Sequence, residues 1–269
     1  MAREEGGRPA RLRIAVLGSG SIMCSSRRNP PGYAIEDPIS GRWTLLDPGP
    51  GSWARLPAAG VDPREVDRVF LTHYHVDHHA DLLALLFARH NPRWREEGLP
   101  GLFVGGPKGL LRLLAAWKDL YGEILDDPGL EAEEIEEGEF SRDHLLVRAF
   151  PARHPNGIVD GAGSLAYRFE IPGHPVFCFT GDSEETATLV EAARDAHLLL
   201  CECSFPDEHP VPGHMTPSAA GRLAREAGVK HLVLTHFYPD ADGADLLAQV
   251  RKEWDGPARL ARDLEVFEL

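Results

Sequence analysis

Apolar residues in this chain fall mostly into short runs that end abruptly at glycine, proline, aspartate or histidine, the pattern of buried strands alternating with helices. Residues 11–18 alternate and then become wholly apolar, as a strand entering a core does, and Gly18-Ser19-Gly20-Ser21 closes it as a tight turn. That turn lacks the GxGxxG spacing and no basic residue follows before Arg27, so it does not read as a phosphate loop. Residues 33–36 and 43–46 read as paired strands joined by Ile39-Ser40-Gly41-Arg42, and Asp47–Gly51 breaks the chain before a short helix from Ser52. Next come a strand over Asp67–Leu71, an apolar helix over Asp81–His90 stopped by Asn91-Pro92, and a strand at 102–104. A helix over 107–121 follows, with Leu110, Leu111, Leu113, Leu114 and Trp117 on a broad apolar face.

The second half repeats this rhythm. Strands are expected at 145–150, 164–171, 175–180, 197–201 and 231–235, with a closing pair at 258–260 and 264–268. Helices are expected at 184–195, 217–227 and 241–253, the second started by a Thr216 hydroxyl cap with Pro217 at the first helical position. Residues 128–143 are acidic, with Glu131, Glu133, Glu134, Glu136, Glu137 and Glu139. No histidine or apolar alternation organises them, so they read as a solvated edge rather than a metal site. The whole suggests two α/β halves whose sheets pack face to face with helices outside. No repeat or linker divides residues 11–269, which read as one domain behind a frayed tail at 1–10.

Composition narrows the picture. With 43% hydrophobic and 26% charged residues, the 269-residue chain is an ordinary soluble globule. No apolar stretch is long enough for a signal peptide or a membrane span, which makes the cytoplasm the default compartment and excludes a membrane partner. A net charge of −14 repels phosphate backbones at long range and disfavours a general nucleic-acid surface. It leaves open a phosphodiester substrate, because metal ions invert the local field. The four cysteines form no CxxC, and Cys178 and Cys201 lie in apolar runs as buried thiols do.

The chemistry concentrates in Thr72-His73-Tyr74-His75-Val76-Asp77-His78, directly after Val69-Phe70-Leu71. His73 and His75 are two apart, so on an extended segment their rings point the same way. A turn at Asp77-His78 would aim those side chains nearby, letting one loop serve two metal ions. His154, Asp182 and His236 each follow an apolar strand, at the end where α/β proteins place their chemistry. His79 reads equally as a supporting residue or a plain helix start, and histidines 90, 144, 174, 197, 209 and 231 have no supporting pattern.

On these residues the chain resembles the metallo-β-lactamase-fold hydrolases, and within them the ribonuclease Z-like, phosphodiesterase-like branch. The resemblance runs through Leu17–Ser21, Leu46–Gly51, Leu71–His78, Gly105-Gly106-Pro107-Lys108-Gly109, Phe179–Ser183, Cys201-Glu202, Gly213-His214-Met215-Thr216 and Leu234–Phe237. It implies a four-layer αββα sandwich. It also implies that His73, His75 and His154 bind one ion, that Asp77, His78 and His236 bind another, and that Asp182 bridges them through its two oxygens. Such ligands suit Zn²⁺ best, with Mn²⁺ or Fe²⁺ as alternatives. Two ions ~3.5–4 Å apart would deprotonate a water lying between them and clamp both oxygens of an in-line displacement. Asp77 thereby belongs to the catalytic set as well. The resemblance makes His214 the residue that steadies the transition state or protonates the leaving oxygen, with Glu202 orienting its ring. It also implies a homodimer.

The tRNA-processing members of that branch carry a long arm between the equivalents of His154 and Asp182, which here stand only 28 residues apart. The expected substrate is therefore a small phosphodiester, such as a cyclic nucleotide or cyclic ribose phosphate, cleaved by a metal-bound hydroxide. The alternatives are tRNA 3′-end processing, a non-phosphate hydrolase (arylsulfatase, lactonase or thioesterase), a single-iron sulfur dioxygenase, or a non-catalytic nucleic-acid-binding relative. The full ligand set and the acidic balance speak against the last.

Overall fold

Strands buried on both faces account for the wholly apolar runs. In the computed structural model, which describes residues 11–23, 25–159 and 162–269, the first half forms β1 (Arg13–Gly18), β2 (Gly32–Glu36), β3 (Trp43–Leu46), α1 (Ser52–Arg55), β4 (Val66–Phe70), α2 (Val76–Arg89), α3 (Pro92–Glu97), β5 (Leu102–Gly106), α4 (Leu110–Tyr121) and β6 (Leu130–Glu134). The second half forms β7 (Gly138–Arg142), β8 (Leu145–Pro155), β9 (Gly163–Glu170), β10 (Phe177–Phe179), α5 (Ala187–Ala192), β11 (Leu198–Glu202), α6 (Pro217–Ala227), β12 (Leu232–Thr235), α7 (Leu246–Val250), β13 (Ala258–Leu260) and β14 (Val266–Glu268). The tail expected at 1–10 and Cys24 lie outside the described residues.

Two seven-stranded mixed sheets result, in the orders β14-β1-β2-β3-β4-β5-β6 and β13-β12-β11-β10-β9-β8-β7. Period-two alternation sends each strand's side chains into two different cores. On β11, Leu198 and Leu200 face the layer between the sheets while Leu199 and Cys201 face α6 and α7; on β1, Ile14 and Val16 face inward while Ala15 and Leu17 face the other helices. The middle layer is rich in rings: Phe70 of one sheet lies 5.3 Å from Tyr167 and 5.7 Å from Phe169 of the other. This is the four-layer αββα sandwich, with the expected helices outside.

Several boundaries differ from the sequence reading, each for a physical reason. α2 starts at Val76, five residues early, so Asp77 and His78 occupy its first turn rather than a preceding loop. β8 runs through Pro151 to Pro155, so His154 lies within a strand rather than past its end; a register shift between Ala152 and Pro155 accommodates the prolines. The closing pair does not pair. β13 adds parallel to β12, whereas β14 crosses to the other sheet and pairs antiparallel to β1. Leu111 on α4 is exposed rather than part of its buried face. The acidic segment supplies the edge strands β6 and β7, and Glu134 there accepts from the amides of Gly109 at 2.8 Å and Leu111 at 3.3 Å, capping α4.

Candidate metal centre

The C-terminal ends of parallel strands from both sheets meet along one edge, and the polar residues that end them face one another there. β3 leads to Asp47, β4 delivers Thr72 and His73, β10 leads to Asp182, β11 ends in Glu202, and β12 leads to His236. Two of these residues, Asp47 and His236, take positive φ angles of 44° and 60°, a backbone state uncommon for non-glycine residues.

Three ring nitrogens converge first. His73 Nε2 and His154 Nε2 each lie 3.1 Å from His75 Nδ1. A second group gathers beside it: Asp77 Oδ2 lies 3.6 Å from His236 Nε2 and 3.8 Å from His78 Nε2. Asp182 Oδ2 sits between the groups, 3.4 Å from His78 Nε2, 3.5 Å from His236 Nε2, and 3.9 Å from both His73 Nε2 and His154 Nε2. A single carboxylate oxygen thus faces both groups, where one oxygen for each was expected.

Four of the five converging imidazoles are fixed by their other nitrogen, His75 being the exception. His73 Nδ1–H donates to Thr72 Oγ1 at 2.9 Å, His78 Nδ1–H to Asp47 Oδ2 at 2.9 Å, His154 Nδ1–H to the Gly213 carbonyl at 2.8 Å, and His236 Nδ1–H to Ser204 Oγ at 2.9 Å. These tautomers follow from the hydrogen-bond network and leave each Nε2 lone pair aimed inward. Asp47 also accepts from Thr72 N and Thr72 Oγ1, so both its oxygens are committed to orienting other residues. Asp47, Thr72 and Ser204 are the residues that sequence reasoning missed. Asp47 alone left a signal, as an acid between a buried strand and Pro-Gly.

Burial and neighbouring charges set the protonation states. Burial, assisted by His78, pushes the His73 pKa well below the usual range, and burial lowers those of His75 and His154. Burial works against ionised Asp182, but His236 and His78 outweigh it and hold that carboxyl well down; the same balance lowers Asp77. For His78, burial opposes the charge, yet Asp182 and Asp47 prevail and raise its pKa. Neutral His73, His75 and His154 and ionised Asp77 and Asp182 are already in ligand form, whereas His78 must give up a proton to bind a cation. The buried Nε2 atoms of His78 and His236 have no hydrogen-bond partner, a state that costs about 1–3 kcal/mol per group when nothing fills it. Divalent cations at this point would satisfy them, so the donor set fits metal ions.

His214 stands at the rim. Its Nδ1 lies 3.0 Å from Glu202 Oε1 and 3.9 Å from Asp182 Oδ2, and Glu202 outweighs the effect of burial to raise its pKa. Glu202 is itself buried and fully engaged. Its Oε1 accepts from Ser183 N at 2.8 Å, and its Oε2 accepts from Ser204 N at 3.2 Å and Ser204 Oγ at 2.6 Å. It therefore holds His214 directly and His236 through Ser204. His79 turns away, its ring 5.7 Å from Trp117 of α4, and packs as a helix residue.

Among the described residues no helix is long and apolar enough to cross a membrane. The family described as the β-lactamase superfamily domain matches residues 42–237. Ribonuclease Z of Brevibacillus brevis is 29% identical, over 93% of this chain and 95% of its own. The Mycobacterium bovis protein Mb1374 is 28% identical, over 96% of this chain and 92% of its own. The two alignments differ in kind. The 306 aligned positions with ribonuclease Z exceed by more than about 50 the residues of this chain they cover, so that enzyme carries segments absent here; the 260 positions with Mb1374 show almost no excess. Among solved structures, the metallo-β-lactamase fold protein YhfI of Bacillus subtilis superposes with a TM-score of 0.80 at 22% identity, over 96% of this chain and all of its own. The sandwich, the convergent donors and these likenesses agree: the chain belongs to the β-lactamase superfamily, as a metal-dependent hydrolase of the metallo-β-lactamase fold.

Proposed function

We propose that this protein is a dinuclear phosphodiesterase acting on a small or cyclic phosphodiester. The observation that carries the proposal is the place of Asp182 Oδ2, within 3.9 Å of ligand nitrogens from two separate groups. In this reading His73, His75 and His154 hold one ion, Asp77, His78 and His236 hold the other, and Asp182 is shared; Zn²⁺ suits the set best. When bound, the ions would supply Lewis acidity, lowering the pKa of water toward neutrality and offsetting phosphoryl charge.

The chain's own residues do the rest. Asp77 opens α2, where the positive end of the helix favours its ionised form. His214 has its Nδ1 committed to Glu202, so Nε2 is the atom that gives a proton to the leaving alkoxide. Glu202 is a positioning residue that fixes the tautomer of His214 and, through Ser204, the ring of His236.

A second reading, cleavage of RNA in the manner of ribonuclease Z, is favoured by the likeness to the Brevibacillus enzyme. Weighing against it are the segments that enzyme has in excess and the short interval from His154 to Asp182, filled by β8, β9 and β10. The net charge of −14 does not separate the two readings, because it describes the whole surface and not the centre.

The test is hydrolysis of bis(p-nitrophenyl) phosphate by the metal-loaded protein, alongside cyclic nucleotides, a precursor tRNA, aryl sulfates, lactones and thioesters. The phosphodiesters should turn over, and Asp182→Ala should abolish their turnover. Cleavage of the precursor tRNA alone would favour the second reading; cleavage of only the non-phosphate substrates would sink both.

A further inference from the structure

Beside the centre lies a cleft of about 400 Å³, within the ~300–1,000 Å³ usual for small-molecule sites. Gly20 and Phe237 form its floor, laced together where Phe237 N–H donates to the Ser19 carbonyl at 3.0 Å. Tyr238 walls both the cleft and the centre, its ring 5.8 Å from those of His214 and His236. The opposite wall is Arg27 and Arg28.

Two adjacent arginines are out of keeping with a chain of 42 acidic against 28 basic residues. Many other arginines meet carboxylates, as Arg55 meets Asp263 and Arg68 meets Asp37 and Asp67. Among the described residues neither Arg27 nor Arg28 makes an ion pair, and Asp242 is the one carboxylate lining the cleft. Arg28 Nη1 donates to Ser19 Oγ at 2.7 Å and to the Ala261 carbonyl at 3.0 Å, its guanidinium lies 4.2 Å from the Phe237 ring centroid, and Asp242 and Asp263 act on it through space without an ion pair. Arg27 is exposed, its backbone amide tied to Ser25 Oγ at 3.1 Å. The planar guanidinium fork matches a phosphate.

We propose that this cleft receives a second anionic group of the substrate, a phosphate next along from the phosphodiester at the centre, and that Arg27 binds it. The proposal rests on the phosphodiesterase reading and narrows its substrate class to molecules with two neighbouring phosphates. The second phosphate is either the terminal group of a nucleotide bisphosphate or the next linkage of an oligonucleotide.

Calorimetry on the metal-loaded protein tests this with thymidine 5′-monophosphate, thymidine 3′,5′-bisphosphate and a thymidine trinucleotide without terminal phosphates whose two linkages are uncleavable methylenephosphonates. At least one of the two-phosphate ligands should bind about tenfold tighter than the monophosphate, the size of one charge-assisted contact. Tighter binding of the bisphosphate alone marks a terminal phosphate, and tighter binding of the trinucleotide marks an internal linkage. In Arg27→Ala the constants should converge, and Arg27→Lys should restore part of the difference; unfolding temperature confirms that both variants fold. Equal binding of all three ligands to the native protein, or an undiminished difference in Arg27→Ala, overturns the proposal. Because binding is read without turnover, failure to hydrolyse bis(p-nitrophenyl) phosphate would remove the phosphodiesterase reading and leave this measurement decisive.

Discussion

Four imidazoles point inward because four modest groups hold their other nitrogens: Thr72, Asp47, Ser204 and the Gly213 carbonyl. The histidines stood out in the sequence, His73, His75 and His78 by their spacing and His154 and His236 by following apolar runs; the groups that orient them did not, since a threonine, a serine or a carbonyl carries no pattern in a sequence. Partners of this kind typically govern metal affinity by ~10–100-fold. Asp47→Asn, which tolerates the positive φ at this position but puts a donor where His78 and Thr72 need an acceptor, should weaken metal binding by about that factor. Competition with a chromophoric chelator measures it, and unchanged affinity would remove Asp47 from this role. His214→Ala should keep the bound metal and lose about 10²–10⁴ in turnover, with the smallest loss on p-nitrophenyl leaving groups, which need no proton. Loss of metal in that variant would make His214 a ligand instead. The buried thiols are a simpler case. Burial raises the pKa of Cys178 to about 12 and raises those of Cys201 and Cys203 as well, so native protein should protect all three from iodoacetamide, and denaturant should expose them.

At the scale of elements, the strands were legible because those buried on both faces leave unbroken apolar runs, and the cap at Thr216 marked α6 as read, its hydroxyl accepting from Ala219 N. The start of α2 was not. His75 caps that helix without a side-chain hydrogen bond, and the first turn carries polar residues placed for the centre rather than for helix propensity. β8 was cut short in the reading because Pro151 and Pro155 mimic a strand end. The segment before α2 is held by a close approach that only glycine permits: a Cβ on Gly49 would stand 1.8 Å from the Asp77 carbonyl oxygen and 2.5 Å from that of Pro31. Gly49→Ala should therefore displace the first turn of α2 and lower metal content as well as stability. Elemental analysis together with thermal unfolding checks it, and a variant with full metal and unchanged unfolding temperature would contradict it.

For the molecule as a whole, the centre lies where the two sheets' strand ends meet, so its ligands come from both halves of the chain. The halves are joined by β14, which leaves the second half to pair with β1; strands of three residues carry too little pattern for their partners to be read from sequence. A cation bound across that seam stabilises the folded state by RT ln(1 + [L]/Kd), about 2.7 kcal/mol at a hundredfold excess over Kd. Chelation should therefore lower the unfolding temperature by ~5–10 °C, reversibly on adding Zn²⁺. The most direct test of the two-ion account is reactivation of metal-free protein by stepwise addition of Zn²⁺, read as bis(p-nitrophenyl) phosphate hydrolysis. Activity that rises until two equivalents per chain and then levels is the predicted result; full activity at one equivalent, or activity with no metal, would contradict it.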